Sequence, residues 1–299
     1  MASIASPITR RMPPAPCRRD HESESPATRG RLILCLHCST GSSRQWQSLA
    51  THLGDRSRLI APDLLGYGDN PPWPRGRRAS LELEVRSLMG RIPATGVALD
   101  VVAHSFGAAI AVKLALMHPR MVRSLTLYEP VLFSLLEEDR HATAALAGIF
   151  STAGHIEGAL SRHDFEAAAA RFIDFWSGSG RWQAMSETGR GNVRAVMHKV
   201  RADFEALLSE PMKLADVARI EVPVLCLSGG QSPAATRRIA DLLSANLPQA
   251  QSVRIDSAGH MGPLTHAALV NGHIEKFLVF PKQPSDAAST PTPLSVRAA

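Results

Sequence analysis

The most informative stretch of the sequence is an apolar run that ends at a serine and continues into a run of small residues. It reads Val101-Val102-Ala103-His104-Ser105-Phe106-Gly107-Ala108-Ala109. A strand that reaches a serine and passes directly into a helix is typical of a nucleophile elbow, which exposes the serine hydroxyl above a sheet. The turn is so tight that small residues are needed two positions before and after the serine, and Ala103 and Gly107 meet this need.

An unassisted serine hydroxyl is a weak nucleophile, so a base is expected on a loop after a late strand. His260 fits this description, because it follows the last predicted strand and Gly259 lets the chain turn back over the sheet. Phe106 opens the helix after the serine, so its backbone N–H is predicted to bind the oxygen that becomes negative during attack on a carbonyl. His104 is predicted to pack beneath the elbow.

The elements that would position these residues alternate along the chain. Apolar runs predict six strands, at 31–37, 57–61, 98–104, 122–128, 222–228 and 251–256. Apolar residues at spacings of three and four predict helices near 43–53, 79–91, 106–117, 234–245 and 263–279. Alternating strands and helices predict an α/β fold with a mainly parallel sheet flanked by helices.

One connection breaks this alternation, because residues 134–220 show helical patterns only and predict a helical insertion. Its apolar residues either form the inner face of a lid or hold the insertion's own helices together; they are Ile149, Phe150, Phe165, Phe172, Phe175, Trp176, Trp182, Met197 and Phe204. Segments 31–133 and 221–280 then form the core. Residues 1–30 and 281–299 are rich in Pro, Ser, Arg and Thr without apolar periodicity, and are predicted to be disordered.

Four motifs occur in the order found in α/β hydrolases, which the chain resembles from about Arg31 to Phe280. They are Leu34-Cys35-Leu36-His37, Ala61-Pro62-Asp63-Leu64-Leu65-Gly66-Tyr67-Gly68, Ala103-His104-Ser105-Phe106-Gly107 and Ala258-Gly259-His260. The resemblance implies an α/β-hydrolase fold with the helical insertion as the lid. It also implies that the loop after the first strand supplies a second oxyanion amide, which we assign to Ser39, although Cys38 stands where the family usually has Gly. Asp63 is expected to brace its loop.

The orienting acid departs from the family pattern. The family most often places Asp after the strand that follows the lid, but here that strand ends in Ser228-Gly229-Gly230-Gln231. Some members place the acid after the preceding strand, where this chain has Glu129. Glu129 is therefore the predicted third catalytic residue, with two alternatives left open: Glu129 braces the entrance to the insertion, or Asp256 is the acid.

Amino-acid composition and charge argue against nucleic acids and membranes as binding partners. The net charge is +6, but the first 31 residues hold six Arg against three acidic residues, so half of the excess lies there. Aromatic residues make up only 5% of the chain, which gives no support for base stacking or nucleic-acid binding. No apolar run is long enough to predict a membrane span or a secretion signal. The four cysteines predict buried thiols, including the Cys35/Cys38 pair, and a cytoplasmic location.

The expected function is hydrolysis of an ester-like bond in a small apolar molecule through an acyl-enzyme, with no metal or organic cofactor implied. Ser at the elbow, rather than Asp, argues against haloalkane dehalogenase and epoxide hydrolase chemistry. The same residues can also cleave activated C–C bonds or form peracids. From a different class, the fold can serve as a non-catalytic ligand-binding protein. The oligomeric state and the substrate's identity are not predicted.

Overall fold

A computed structural model describes residues 31–93 and 96–279 of the chain. The terminal segments predicted to be disordered, 1–30 and 281–299, lie outside these described residues. The predicted α/β architecture with a mainly parallel sheet is confirmed.

Within the described residues, six parallel strands form one sheet in the order β2-β1-β3-β4-β5-β6. Their bounds are β1 Arg31–Leu36, β2 Ser57–Ile60, β3 Leu99–His104, β4 Val122–Tyr128, β5 Val224–Gly229 and β6 Ala250–Ile255. The chain moves outward from β1 to β2 and then returns to the other side of β1 with β3. Loops leaving β1 and β3 therefore diverge at this switch point, which is where ligands bind in open α/β sheets.

The helices of the sheet layers are α1 Gln47–Leu53, α2 Leu81–Met89, α3 Phe106–Met117, α9 Ala234–Asn246, α10 Gly262–Thr265 and α11 Ala267–Val279. The described stretch between β4 and β5 is helical and contains α4 Thr143–Ser161, α5 Phe165–Ser177, α6 Glu187–Ala195, α7 Met197–Leu208 and α8 Leu214–Val217. Among the described residues, none of the helices combines the length and apolar character needed to cross a membrane.

The central strands are buried on both faces, which explains why they read as continuous apolar runs. Side chains alternate along a strand, so Ile33 and Cys35 of β1 pack with α1 and α11, while Leu34 and Leu36 join the larger core around α2, α3 and α9. Cys35, Cys38 and Cys226 are free and buried, and burial raises the pKa of the Cys38 thiol to about 12.

The amino ends of the strands are fastened by a buried carboxylate. Asp100 in β3 accepts hydrogen bonds from Arg31 Nε at 2.8 Å, from Arg123 Nε at 3.0 Å and from Ser124 Oγ at 2.6 Å. Burial opposes ionisation of Asp100, but these donors outweigh it and lower its pKa. The Asp100 carboxylate thus links β1, β3 and β4 at the amino ends of the strands, opposite the carboxyl ends from which the loops of the site begin.

Some predicted boundaries differ from the structure, each for a local reason. β5 begins at Val224 because Pro223 has no N–H to donate to the ladder, although its carbonyl accepts from Leu125 N–H at 3.0 Å. The predicted helix 263–279 is divided at His266 into α10 and α11. The predicted helix 43–53 begins as a 3-10 turn at 43–46 before α1.

Candidate active site

The turn between β3 and α3 has the geometry of a nucleophile elbow. Ser105 adopts φ 56° and ψ −118°, a conformation that L-residues rarely take, and is 5% exposed. A Cβ added at Gly107 would lie 2.5 Å from the backbone oxygens of both Leu36 and His37. Glycine is therefore required at this position because helix α3 starts almost in contact with the end of β1.

His260 reaches the elbow from the loop after β6. Its Nε2 is 2.9 Å from Ser105 Oγ, and its ring is 3% exposed. Two contacts place this loop: Tyr128 OH donates to the Gly259 carbonyl at 2.7 Å, and Gly262 packs so closely on Tyr128 that an added Cβ would lie 2.0 Å from the hydroxyl. The histidine ring is thus held over the serine by the end of β4.

Glu129, directly after β4, is the partner of the second ring nitrogen. Its Oε2 is 2.7 Å from His260 Nδ1, and its Oε1 accepts from Gly229 N–H at 2.6 Å. The residue is fully buried and has φ 46°, the left-handed region that a non-glycine residue occupies at a cost of about 1–3 kcal/mol. Its backbone N–H donates to the Leu227 carbonyl at 3.0 Å, which continues the pairing of β4 with β5.

Burial alone would raise the pKa of Glu129. The hydrogen bond and charge of His260, together with the Gly229 amide, outweigh burial, so the pKa is lowered and the carboxylate stays ionised. Asp256, the alternative acid, is exposed, and among the described contacts it makes no hydrogen bond to His260. The geometry therefore places Glu129, and not Asp256, where the orienting acid would act.

The loop after β1 lies beside the elbow. Cys38 and Gly41 close a tight turn, with Gly41 N–H donating to the Cys38 carbonyl at 3.0 Å, and Thr40 within it has φ 62°. Throughout the described part of the chain, neither the Ser39 N–H nor the Phe106 N–H has a hydrogen-bond acceptor. Both amides therefore lack an internal acceptor, which leaves the predicted role of Ser39 and Phe106 as oxyanion donors open to them.

A buried chain of hydrogen bonds connects this loop to the His260 loop. Cys38 N–H donates to Gln45 Oε1 at 3.1 Å, Gln45 Nε2 lies 3.2 Å from His104 Nδ1, and His104 Nε2 lies 2.8 Å from the His260 carbonyl. Burial lowers the pKa of His104 well below the usual value, so the ring is neutral and can accept at one nitrogen while donating at the other. His104 thus lies beneath the elbow, as expected.

Asp63 and His37 brace neighbouring loops. Asp63 accepts from Ser43 N–H at 2.6 Å and from Asp69 N–H at 2.9 Å, which agrees with a bracing role. His37 Nε2 accepts from Leu64 N–H at 2.9 Å, and its Nδ1 donates to the Cys38 carbonyl at 2.7 Å. Burial lowers the pKa of His37 to about 4, consistent with a neutral ring in that arrangement.

A small cavity of about 50 Å³ opens onto Ser105, Ser39 and His260. Most of its wall is apolar and comes from the segment after β4 and the insertion, through Val131, Phe133, Phe172, Trp176, Phe204 and Leu207. Trp176 stacks on His260, with ring centroids 4.5 Å apart and planes inclined by 29°. Trp176 and His260 also line an outer cleft of about 360 Å³, so this indole stands between the cavity and the surface.

The sequence did not single out Gln45, Lys199 or Asp203, which lie close to the site. Lys199 and Asp203 lie on the face of α7 that carries Val200 and Leu207, at spacings of three and four. Two opposite charges on an otherwise apolar stripe are the signal that could have found them. Gln45 carries no such signal, because it is a single polar residue and its partner His104 lies 59 positions away.

Known proteins with similar sequences include enzymes that cleave esters by name. LipV, a lipase of Mycobacterium tuberculosis, is 36% identical over 102 residues, covering 33% of this chain and 36% of LipV. A pimeloyl-(acyl-carrier protein) methyl ester esterase of Neisseria meningitidis is 24% identical over 84% of this chain and 93% of its own length. The chain spans about half of the bifunctional biotin biosynthesis protein BioHC of Teredinibacter turnerae, at 26% identity.

Solved structures with the same fold include a thermophilic esterase from Thermogutta terrifontis. It has a TM-score of 0.66 and 20% identity, over 84% of this chain and 90% of the esterase. The enol-lactonase of Burkholderia xenovorans also has a TM-score of 0.66, at 17% identity, over 85% and 94% of the two chains. The sequence matches the α/β-hydrolase fold family over residues 31–267. The chain therefore belongs to the α/β-hydrolase fold family.

Proposed function

We propose that this protein hydrolyses a carboxylic ester through an acyl-enzyme on Ser105. The observation that carries the proposal is the continuous buried chain from Ser105 Oγ through His260 to Glu129, with distances of 2.9 and 2.7 Å. Hydrogen bonds of this length let the histidine take the serine proton while the carboxylate stabilises the imidazolium that forms. The ester-cleaving relatives support the same class of reaction.

In the first half-reaction, Ser105 Oγ attacks the ester carbonyl and its proton moves to His260 Nε2. The carbonyl oxygen becomes an oxyanion, which the Phe106 and Ser39 amides stabilise. When the tetrahedral intermediate collapses, the alcohol leaves with the proton from His260. In the second half-reaction, water gives a proton to His260 and attacks the acyl-enzyme. When this second intermediate collapses, His260 returns the proton to Ser105 Oγ and the acid is released.

The insertion between β4 and β5 acts as a lid in this proposal. Helix α5 supplies Phe172 and Trp176 to the cavity wall, and α7 supplies Phe204 and Leu207. The walls are apolar and the cavity is well below the ~300 Å³ of typical ligand pockets. We therefore assign a small, apolar acyl group as the preferred substrate class, with larger groups requiring movement of a wall side chain such as Trp176.

The cysteines support a cytoplasmic location in this proposal. The free, buried thiols of Cys35, Cys38 and Cys226 agree with a reducing compartment.

Labelling with a fluorophosphonate probe, together with turnover of p-nitrophenyl acetate, tests the proposal. Wild type is expected to be labelled and to hydrolyse the ester, and Ser105→Ala is expected to lose both. Ser161→Ala is the matched control, because this serine on α4 is exposed and bonds only to the Gly158 carbonyl. Absence of both labelling and turnover in folded wild type would favour the non-catalytic binding protein.

Product analysis separates ester hydrolysis from the alternative reactions of the same residues. An ester should yield its acid and alcohol alone. A vinylogous diketone tests C–C cleavage, and hydrogen peroxide with a short acid tests peracid formation. Faster turnover of either alternative than of the ester would replace the proposed function.

A further inference from the structure

A buried charged cluster lies beside the cavity, apart from the Ser105, His260 and Glu129 chain. Lys199 and Asp203 lie one turn apart on α7, and Glu84 comes from α2. Lys199 Nζ donates to Glu84 Oε1 at 2.9 Å and also to Asp203 Oδ1. All three side chains are at most 2% exposed. Burying three charged groups is unfavourable unless each one is paired and hydrogen-bonded, so each carboxylate is expected to have further hydrogen-bond donors around it.

Asp203 is the member of the cluster that touches the loop after β1. Its Oδ2 accepts from Ser39 Oγ at 2.6 Å and from Tyr67 OH at 2.5 Å, and the residue lines the cavity beside Ser105. Glu84 instead accepts from Leu65 N–H at 3.3 Å. Both carboxylates therefore share Lys199 and contact the loop after β2, but of the two only Asp203 has a hydrogen bond to the loop after β1 among the described contacts.

The loop after β1 needs external support. Thr40 occupies the left-handed region at φ 62°, and such a conformation persists in a non-glycine residue only when the surroundings fix it. Gln45 holds the loop at Cys38 N–H. Asp203, on helix α7 of the insertion, accepts a hydrogen bond from the side chain of the next residue, Ser39.

Burial raises the pKa of Asp203, and the charge and hydrogen bond of Lys199 oppose this rise. Burial lowers the pKa of Lys199, but Asp203 and Glu84 outweigh it and raise the pKa, so the ammonium persists. Its Nζ lies 4.6 Å from the centre of the Phe106 ring, and Phe106 carries the other free amide. The positive charge thus offsets the Asp203 carboxylate close to the site where an oxyanion would form.

We propose that Asp203 is a positioning residue for the oxyanion hole: its carboxylate, anchored by Lys199, fixes Ser39 so that the Ser39 amide faces the substrate oxygen. The inference rests on the proposed function. It also gives the helical insertion a second task, because the insertion then holds part of the catalytic apparatus in addition to covering the cavity.

The experiment compares Asp203→Asn with Glu84→Gln, two isosteric changes that each remove one carboxylate from Lys199. Steady-state kcat and KM for p-nitrophenyl acetate are measured, with the urea midpoint of each variant. Asp203→Asn is expected to lower kcat about 10-fold or more with a small change in KM, since losing an oxyanion donor outright costs about 10²–10³-fold. Glu84→Gln is expected to keep kcat within about 2-fold, whatever its stability.

Ser39→Ala completes a double-mutant cycle. If Asp203 acts through the Ser39 hydroxyl, Asp203→Asn in the Ser39→Ala background should lower kcat much less than it does in wild type. Independent, multiplicative losses, or an Asp203→Asn variant that keeps wild-type kcat, would overturn the inference while leaving the proposed function intact. A folded wild type without esterase activity would overturn both.

Discussion

Replacing Glu129 by glutamine should inactivate the protein by changing the proton position on His260. Gly229 N–H points at Glu129 Oε1 from 2.6 Å and requires an acceptor there. The amide oxygen of the introduced glutamine will therefore face Gly229, and its NH₂ group will face His260 Nδ1. Nδ1 must then accept a hydrogen bond, which moves the ring proton to Nε2, where it blocks proton transfer from Ser105.

The expected loss follows from this tautomer change. A base with its proton on the wrong nitrogen costs about 10³–10⁴-fold in kcat, or about 4–5.5 kcal/mol of transition-state stabilisation. KM should change little, because Glu129 is not part of the cavity wall. Stopped-flow kinetics with p-nitrophenyl acetate should show that the acylation burst slows by the same factor.

Asp256→Asn is the matched control for this variant, since Asp256 is the alternative acid and is exposed. It should retain kcat within about 2-fold, in line with ordinary surface substitutions. A Glu129→Gln variant that keeps more than a tenth of wild-type kcat, or a large loss in Asp256→Asn, would refute the assignment of Glu129.

Three further predictions address packing, acid stability and substrate size. Gly107→Ala should destabilise the fold by about 3 kcal/mol or more, because the added Cβ would lie 2.5 Å from two backbone oxygens. Gly90→Ala is the control, since a Cβ there meets open space, and equal urea midpoints for the two variants would contradict the elbow packing. Burial lowers the pKa of His37 in the folded protein, so its contribution to the free energy of unfolding should be complete above pH ~6.5 and fall by up to about 3 kcal/mol as the pH drops towards 4. In urea unfolding, His37→Gln should lose stability less steeply with falling pH, and an unchanged slope would contradict the assignment of this pH dependence to His37. Trp176→Ala should raise kcat/KM for p-nitrophenyl octanoate relative to p-nitrophenyl acetate, because it removes the side chain between the cavity and the outer cleft. Phe150→Ala should leave that ratio unchanged, because Phe150 lies on the exposed side of α4.

Much of the fold could be predicted from the sequence because its signals are local. The six strands and the sheet-flanking helices appear as apolar runs and three- to four-residue periodicities, and Pro223 and His266 account for shifts of a few residues. The elbow is also local, since strand, small residues, serine and helix lie within nine consecutive positions. Ser105, Phe106 and Gly107 could therefore be placed without any knowledge of long-range contacts.

The contacts within the site are long-range, and the sequence left them open. His260 is separated from Ser105 by 155 positions and from Glu129 by 131, so only the strand order shows which carboxylate meets its Nδ1. The sequence favours Glu129 by its place directly after the fourth strand and leaves Asp256 open as an alternative. The end of β4 lies next to the loop after β6 across β5, and this arrangement places Glu129 there.

The sequence by itself determined the sheet, the elbow and the candidate serine and histidine, because each depends on neighbouring residues that share one element. Only the tertiary structure decided the surroundings of the site: Glu129 on His260, Gln45 on Cys38 and Asp203 on Ser39. These pairs join separate elements, and their hydrogen bonds depend on how the loops and the insertion pack over the carboxyl edge of the sheet. A charged or amide side chain alone does not specify its partner, because burial and distance arise only when the chain is folded.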